Sequence, residues 1–178
     1  MSHPRAVAVF GSSETHPGEP LYEEARRLGE LLAASGCTVV TGGYGGVMEA
    51  ACRGARDAGG QAVGVVCDGW SERGRHPNAY LSERVGTPDL HARTQALVER
   101  ADAYVVLPGK SGTLAELTLL WALHRAGALG ERPIVLLGTP WPPLLRHLVE
   151  WNMLEPAQLR GTRVVRTPDE AAALLRPS

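Results

Sequence analysis

The stretch from Tyr104 to Leu123, YVVLPGKSGTLAELTLLWAL, places a lysine, a serine and a carboxylate beside two glycines. Residues of these types can hold a phosphate and move a proton. Gly-Lys-Ser also ends the phosphate loop of nucleoside triphosphatases, but that loop needs a glycine five positions before the one ahead of the lysine. Tyr104 stands there, inside an apolar run. The segment is instead a tight turn between a strand and a helix, too short to wrap a triphosphate. A helix start still offers unpaired N–H groups and the positive end of a dipole, which suits a single phosphate. Gly109, Lys110, Ser111, Gly112 and Thr113 are therefore candidate phosphate-binding residues.

Two further turns have the same character. FGSSE carries Ser12 and Ser13, and TGGYGGVMEA carries Gly42, Gly43, Gly45 and Gly46. Three small-residue turns at one sheet edge imply a ligand that the backbone approaches closely. GGYGG is not a dinucleotide fingerprint, because Met48 stands where the third glycine belongs and the turn follows the second strand. Asp68 ends the third strand and could meet a ribose, which keeps an NAD-type site as a minor alternative.

Glu116 has two readings from spacing alone. It lies three residues after Thr113, the spacing of a capping box in which it would only bond back to the helix start. Spacing alone leaves open whether it does chemistry instead. Arg93 lies beside the apolar stripe Leu90, Leu97, Ala101; its fork can bind substrate or orient Glu116, and its stem can merely cover apolar surface. The surface-covering reading is preferred for Arg100. Glu49 falls in a first helical turn and is read as offsetting the dipole. Trp70 and His76 lie in a polar loop where they could cover a base.

The elements that must position these groups alternate along the chain. Strands are read at AVAVF, CTVV, QAVGVV, AYVVLP, RPIVLLG and RVVR, and helices at PLYEEARRLGELLAAS, GVMEAACRGARDA, GTLAELTLLWALHRA and WPPLLRHLVEWNML. Thr87, Pro88 and Asp89 are read as N-cap, first position and first-turn acid of another helix. Thr167 to Glu170 open the last one with a capping box. Residues 68–80 are read as a surface loop. Apolar strands between helices mean a parallel sheet covered on both faces. The expected fold is a single Rossmann-like doubly wound α/β domain over residues 1–178, with ligand at the carboxyl ends of the strands.

The 178 residues are 44% hydrophobic with a formal net charge of -1. That balance gives no footprint for nucleic acid or an anionic membrane. No apolar run approaches the roughly 20 residues of a bilayer span, and the N-terminus enters a strand almost at once. A cytoplasmic location is expected. Cys37, Cys52 and Cys67 form no CxxC pair, and the histidines have no metal spacing. They are read as buried apolar residues, with no metal and no cofactor expected.

The blocks VAVFGSSE, VVTGGYGGVMEAACRGARDAGGQAVGV, DLHAR and LPGKSGTLAEL together resemble the Lonely Guy (LOG) family, long mislabelled as lysine decarboxylases. They run from Val7 to Leu117, and the pattern continues to the last helix. The resemblance implies hydrolysis of a nucleoside 5′-monophosphate to free base and ribose 5-phosphate. It matches Gly109, Gly112, Thr113 and Glu116 to the family signature PGGxGTxxE, and Arg93 to an upstream arginine, so it favours Glu116 and Arg93 as catalytic. Lys110 replaces the second glycine of that signature, and Thr94 replaces the lysine after the arginine. Related proteins bind nucleotides or carry molybdenum cofactor without hydrolysis, which is the alternative function. The helix from Thr113 to Gly127 is apolar nearly all round, and the family dimerises in this region, so a homodimer is expected.

Overall fold

A computed structural model describes residues 5–176. Within them the chain runs β1 (Ala6–Phe10), α1 (Pro20–Ala34), β2 (Thr38–Thr41), α2 (Val47–Asp57), β3 (Ala62–Cys67), β4 (Glu83–Thr87) and α3 (Leu90–Glu99). It continues β5 (Ala103–Val106), α4 (Ser111–Arg125), β6 (Ile134–Leu137), α5 (Trp141–Glu150), β7 (Thr162–Val165) and α6 (Pro168–Leu175). One sheet holds these strands in the order β4-β3-β2-β1-β5-β6-β7. Every pairing is parallel. This is the expected doubly wound α/β fold.

Strand alternation divides the core into two layers. Val7 and Val9 of β1 pack with Leu28, Leu32 and Val47 from α1 and α2. Ala8 and Phe10 face the other way, with Leu97, Leu117, Leu120 and Trp121 from α3 and α4. Successive strand side chains point to opposite faces, so a strand apolar at every position must be covered twice. The chain winds outwards from β1 to β4, then returns to place β5 on the other side of β1. The switch point therefore lies between β1 and β5. There the flanking connections diverge to opposite faces and leave a crevice.

Three expectations need correction. Glu83–Thr87 is a strand, β4, at the sheet edge, where Glu83, Arg84 and Gly86 are exposed. Edge strands use such charged residues to discourage further pairing, and the polar sequence hid the strand. Thr87 consequently ends β4, donating from Oγ1 to the Val66 carbonyl at 2.9 Å. The N-cap of α3 is Asp89, whose carboxylate accepts from the Ala92 amide at 2.9 Å. Thr167 does cap α6, but the Glu170 carboxylate reaches one residue further back, to the Arg166 amide. The three cysteines are buried and form no disulfide among the described residues, and burial pushes the Cys52 thiol up to about 11. Among the described residues no helix is long and apolar enough to cross a membrane.

Candidate active site

The turns after β1, β2 and β5 meet at the switch point. Ser12 ties them together: its amide donates to the Pro108 carbonyl at 3.0 Å, and its own carbonyl accepts from the Val47 amide at 2.8 Å. A cleft of about 1430 Å³ opens over this edge. Ser12, Ser13, Gly42 and Gly45 line it from one side, and Lys110, Gly112 and Thr113 from the other. Arg93 and Glu116 also line it. Gly43, Gly46, Gly109 and Ser111 are not among its lining residues, nor is Asp68.

The glycines do different work. A Cβ on Gly42 would collide with the guanidinium of Arg93, so this glycine makes room for an arginine. Gly46 is the N-cap of α2 at φ 70°, a left-handed conformation that side chains disfavour. A Cβ there would also strike the Ser12 and Ser13 backbone. Gly112, in the first turn of α4, has nothing within 4 Å of where a Cβ would stand. The open helix end therefore lies on the Gly112 side of the cleft.

Arg93 comes from α3 and is only 6% exposed. Its Nε donates to the Val65 carbonyl at 2.9 Å, and Nη2 reaches the Met48 sulfur at 3.7 Å. The guanidinium carbon lies 5.5 Å from the Tyr44 ring centre and 5.7 Å from that of Trp70. These contacts fix the head inside the cleft, which removes the surface-covering reading of this arginine. Nη1 stands 4.0 Å from Glu116 Oε1, close enough to feel its charge but too far for a hydrogen bond.

The capping-box reading of Glu116 fails because α4 begins earlier than the spacing suggested. Its N-cap is Lys110, so Thr113 sits inside the first turn and Glu116 a turn further on. The Glu116 side chain is 16% exposed. No hydrogen bond to its carboxylate occurs among the described residues. Burial pushes its pKa up to about 7, with the charge of Arg93 opposing that rise. A buried, unbonded carboxylate facing a cleft is free to exchange a proton with a ligand. Glu49 follows its expected role in the first turn of α2 and also accepts from the Tyr22 hydroxyl at 2.9 Å. Lys110 extends outwards instead and pairs with Glu14 across the cleft mouth, both side chains being exposed.

Spacing missed a second group. Tyr44 is buried, with its hydroxyl accepting from the Cys67 amide at 2.9 Å. Asn78 is buried too: its amide donates to the Gly43 carbonyl at 2.8 Å, and its Nδ2 to the Tyr44 carbonyl at 3.0 Å. The loop 68–80 runs over the surface as expected, with most of its residues exposed, and Asn78 straps it to the GGYGG turn. It holds Trp70 against Tyr44, ring centres 5.2 Å apart, and brings Trp70, Arg75 and His76 to the cleft. The aromatic Tyr44 between glycine pairs was the one readable sign of this.

A parallel sheet with a cleft at its switch point, walled by glycine turns and helix starts, defines a Rossmann-like doubly wound fold. The chain belongs to the SLOG cluster4 family, whose model matches residues 4–147, in agreement with the LOG resemblance of its motifs. A cytokinin riboside 5′-monophosphate phosphoribohydrolase of Mycobacterium tuberculosis is 33% identical, over 97% of this chain and 94% of that protein. An uncharacterized protein of Archaeoglobus fulgidus is 31% identical, over 93% of this chain and 90% of its own length. Among solved structures, the molybdenum cofactor binding protein of Rippkaea orientalis superposes with a TM-score of 0.73 at 26% identity, over 96% of this chain and 94% of that one.

Proposed function

We propose that the protein hydrolyses the N-glycosidic bond of a nucleoside 5′-monophosphate, releasing free base and ribose 5-phosphate. The observation that carries this reading is Glu116: a buried carboxylate with no hydrogen-bond partner in the described chain, facing the cleft with Arg93 at 4.0 Å. The phosphate rests on the first turn of α4, against Gly112 and Thr113, with the hydroxyls of Ser12 and Ser13 and the ammonium of Lys110 in reach. The dipole of the helix and its unpaired N–H groups favour an anion there.

Ribose then lies towards Glu116. The bond from C1′ to the base nitrogen breaks with its electron pair passing to the base, and a water oxygen bonds to C1′. The water proton goes to Glu116, and a proton goes from Glu116 to the departing base. A carboxyl poised near 7 serves both halves of that exchange at neutral pH. Arg93 holds Glu116 in place and limits how far burial raises it. No metal or redox cofactor enters the scheme. The name of the mycobacterial relative supports this reaction class. The reading places the protein in the cytoplasm, with no nucleic-acid or membrane partner.

Adenylate, guanylate and N6-modified adenylates, incubated with the protein and scored for free base by chromatography, test the reading. Base release that disappears in Glu116→Gln and Arg93→Ala is expected. Release from none of the nucleotides overturns it. The likeness to the Rippkaea protein supports a second reading, a carrier that binds nucleotide or molybdenum cofactor without turnover. Under it, Glu116→Gln leaves calorimetric affinity unchanged and no base appears.

The same reading pairs two copies through α4. Leu114 is 38% exposed on that helix, and Ala115, Thr118 and Ala122 are exposed with it. Light scattering at micromolar concentration is expected to give a dimer; a monomer removes this part.

A further inference from the structure

The cleft holds four side chains that are cationic at neutral pH: Arg75, Arg93, Lys110 and Arg132. Three are committed. Arg93 is bonded to Val65 and Met48, and Lys110 is paired with Glu14. Arg132 donates from Nη1 to the Val98 carbonyl and the Tyr104 hydroxyl, both at 3.2 Å. Arg75 alone has no protein acceptor and no carboxylate partner among the described residues. Its position is nonetheless defined. The 3-10 turn Ser71–Arg73 and the left-handed Gly74 fold the chain back, and the Arg75 amide donates to the Trp70 carbonyl at 3.0 Å. The guanidinium carbon then lies 4.9 Å from the Trp70 ring centre. The exposed part of the Trp70 ring, which Tyr44 and Arg93 also flank, and a planar fork of donors without a protein acceptor stand together in the cleft lining.

We propose that Trp70 and Arg75 read the heterocycle of the ligand, and that they select a ring carrying a carbonyl oxygen beside an acceptor nitrogen. A base laid against Trp70 gains stacking energy whatever its identity, because every base has a π-face. The base is told apart at its edge. Guanine and hypoxanthine present O6 and N7, two acceptors that match the two parallel N–H groups of a guanidinium. A fully oxidised pterin presents the same pair, as O4 and N5. Adenine presents N7 beside an amino donor, and the fork would face N–H against N–H. The selected class is therefore 6-oxopurine nucleotides or pterins over 6-aminopurine nucleotides. The inference rests on the reading of the cleft as a heterocycle site, and holds whether the ligand is cleaved or carried.

Calorimetry on Glu116→Gln, which cannot turn substrate over, provides the test. Guanylate and inosinate are expected to bind about tenfold tighter than adenylate, within the range of one bidentate arginine contact. Adding Arg75→Met should abolish that preference, bringing guanylate and inosinate down to the affinity of adenylate in the same variant. Arg75→Lys keeps the charge and loses the fork, so it should also lose the preference. Trp70→Ala should weaken all three nucleotides at least about fivefold, the lower range of base–aromatic stacking. Neopterin and its monophosphate separate the two sources: tighter binding than guanylate marks the pterin, weaker binding the purine. Adenylate binding as tightly as guanylate, or a preference that survives Arg75→Met, overturns the proposal. Adenine release without oxopurine preference leaves the hydrolase standing and removes this inference. Oxopurine preference with no release of any base does the reverse. Binding of none of these ligands removes both.

Discussion

The GGYGG turn after β2 and the PGKSG turn after β5 look alike in composition and behave as opposites. In the first, most groups are used internally, although Gly45 borders the cleft with room to spare. The Thr41 hydroxyl accepts from the Gly43 amide, Gly43 and Tyr44 carbonyls accept from Asn78, and Gly42 is pressed against Arg93. In the second, Lys110, Ser111 and Gly112 are exposed, and the space beyond Gly112 is empty. Gly42 and Gly46 serve close packing, as does Gly109, where a Cβ would strike Thr113, whereas Gly112 faces open space. The locked turn holds Arg93; the open turn leads into the helix that presents Glu116, the two groups on which the proposed reaction rests.

Substitutions can break this contrast, beginning with the acid itself. Glu116 has a folded-state pKa of about 7, above the ordinary value of 4.5. The folded protein thus holds a proton that the unfolded chain releases. Stability is complete below about pH 4.5 and falls as pH rises towards 7, by roughly 3 kcal/mol in all. Glu116→Gln cannot ionise, so it should unfold at higher denaturant than wild type at pH 8, by up to about 3 kcal/mol, and match it near pH 4. Base release should vanish in the same variant, separating stability from activity. A variant no more stable at pH 8 would show that the carboxylate is not desolvated.

Gly42→Ala should have the next largest effect. The new methyl must displace Arg93, at a cost of about 1–3 kcal/mol for overpacking. Base release should fall about a hundredfold from the misplaced guanidinium. Denaturant titration and initial rates read the two losses together. Asn78→Ala should follow, since it removes the amide's bonds to Tyr44 and from Tyr80. A loss of about 1–3 kcal/mol is expected for stranding buried groups. In the open turn, Gly112→Ala should leave stability unchanged or raise it by up to about 1 kcal/mol, because alanine suits a helix better. Ribose 5-phosphate affinity should drop all the same. A large stability loss at Gly112 would erase the distinction between the turns.

The fold was legible because buried strands and helices leave strong patterns, as at Val7 to Phe10 and Leu117 to Trp121. The strand at Glu83–Thr87 was not, because an edge strand exposes most of its side chains and carries no apolar run. Within the site, the identities of Arg93 and Glu116 came from a resemblance to known motifs. Their spacing alone left a cap and a surface arginine in contention. The start of the helix decided the matter: with Lys110 rather than Thr113 as N-cap, Glu116 cannot reach back to the helix start. Asn78 and Arg75 gave no local signal. Their roles depend on a loop folding against a turn some thirty residues earlier in the chain.

Ser12 joins the turn before α2 to the turn before α4, across residues 12, 47 and 108. The ligand-binding edge therefore does not exist in any partly folded form that contains only one half of the sheet. Contacts so distant in sequence close late, after the loops between them have been ordered. A ligand of the proposed kind, binding only the completed edge, would stabilise the whole chain by mass action. The backbone amides of Ser12 and Val47 should then exchange with deuterium as slowly as the innermost strands. Saturating ligand should slow them by the same factor as it slows β1 and β5.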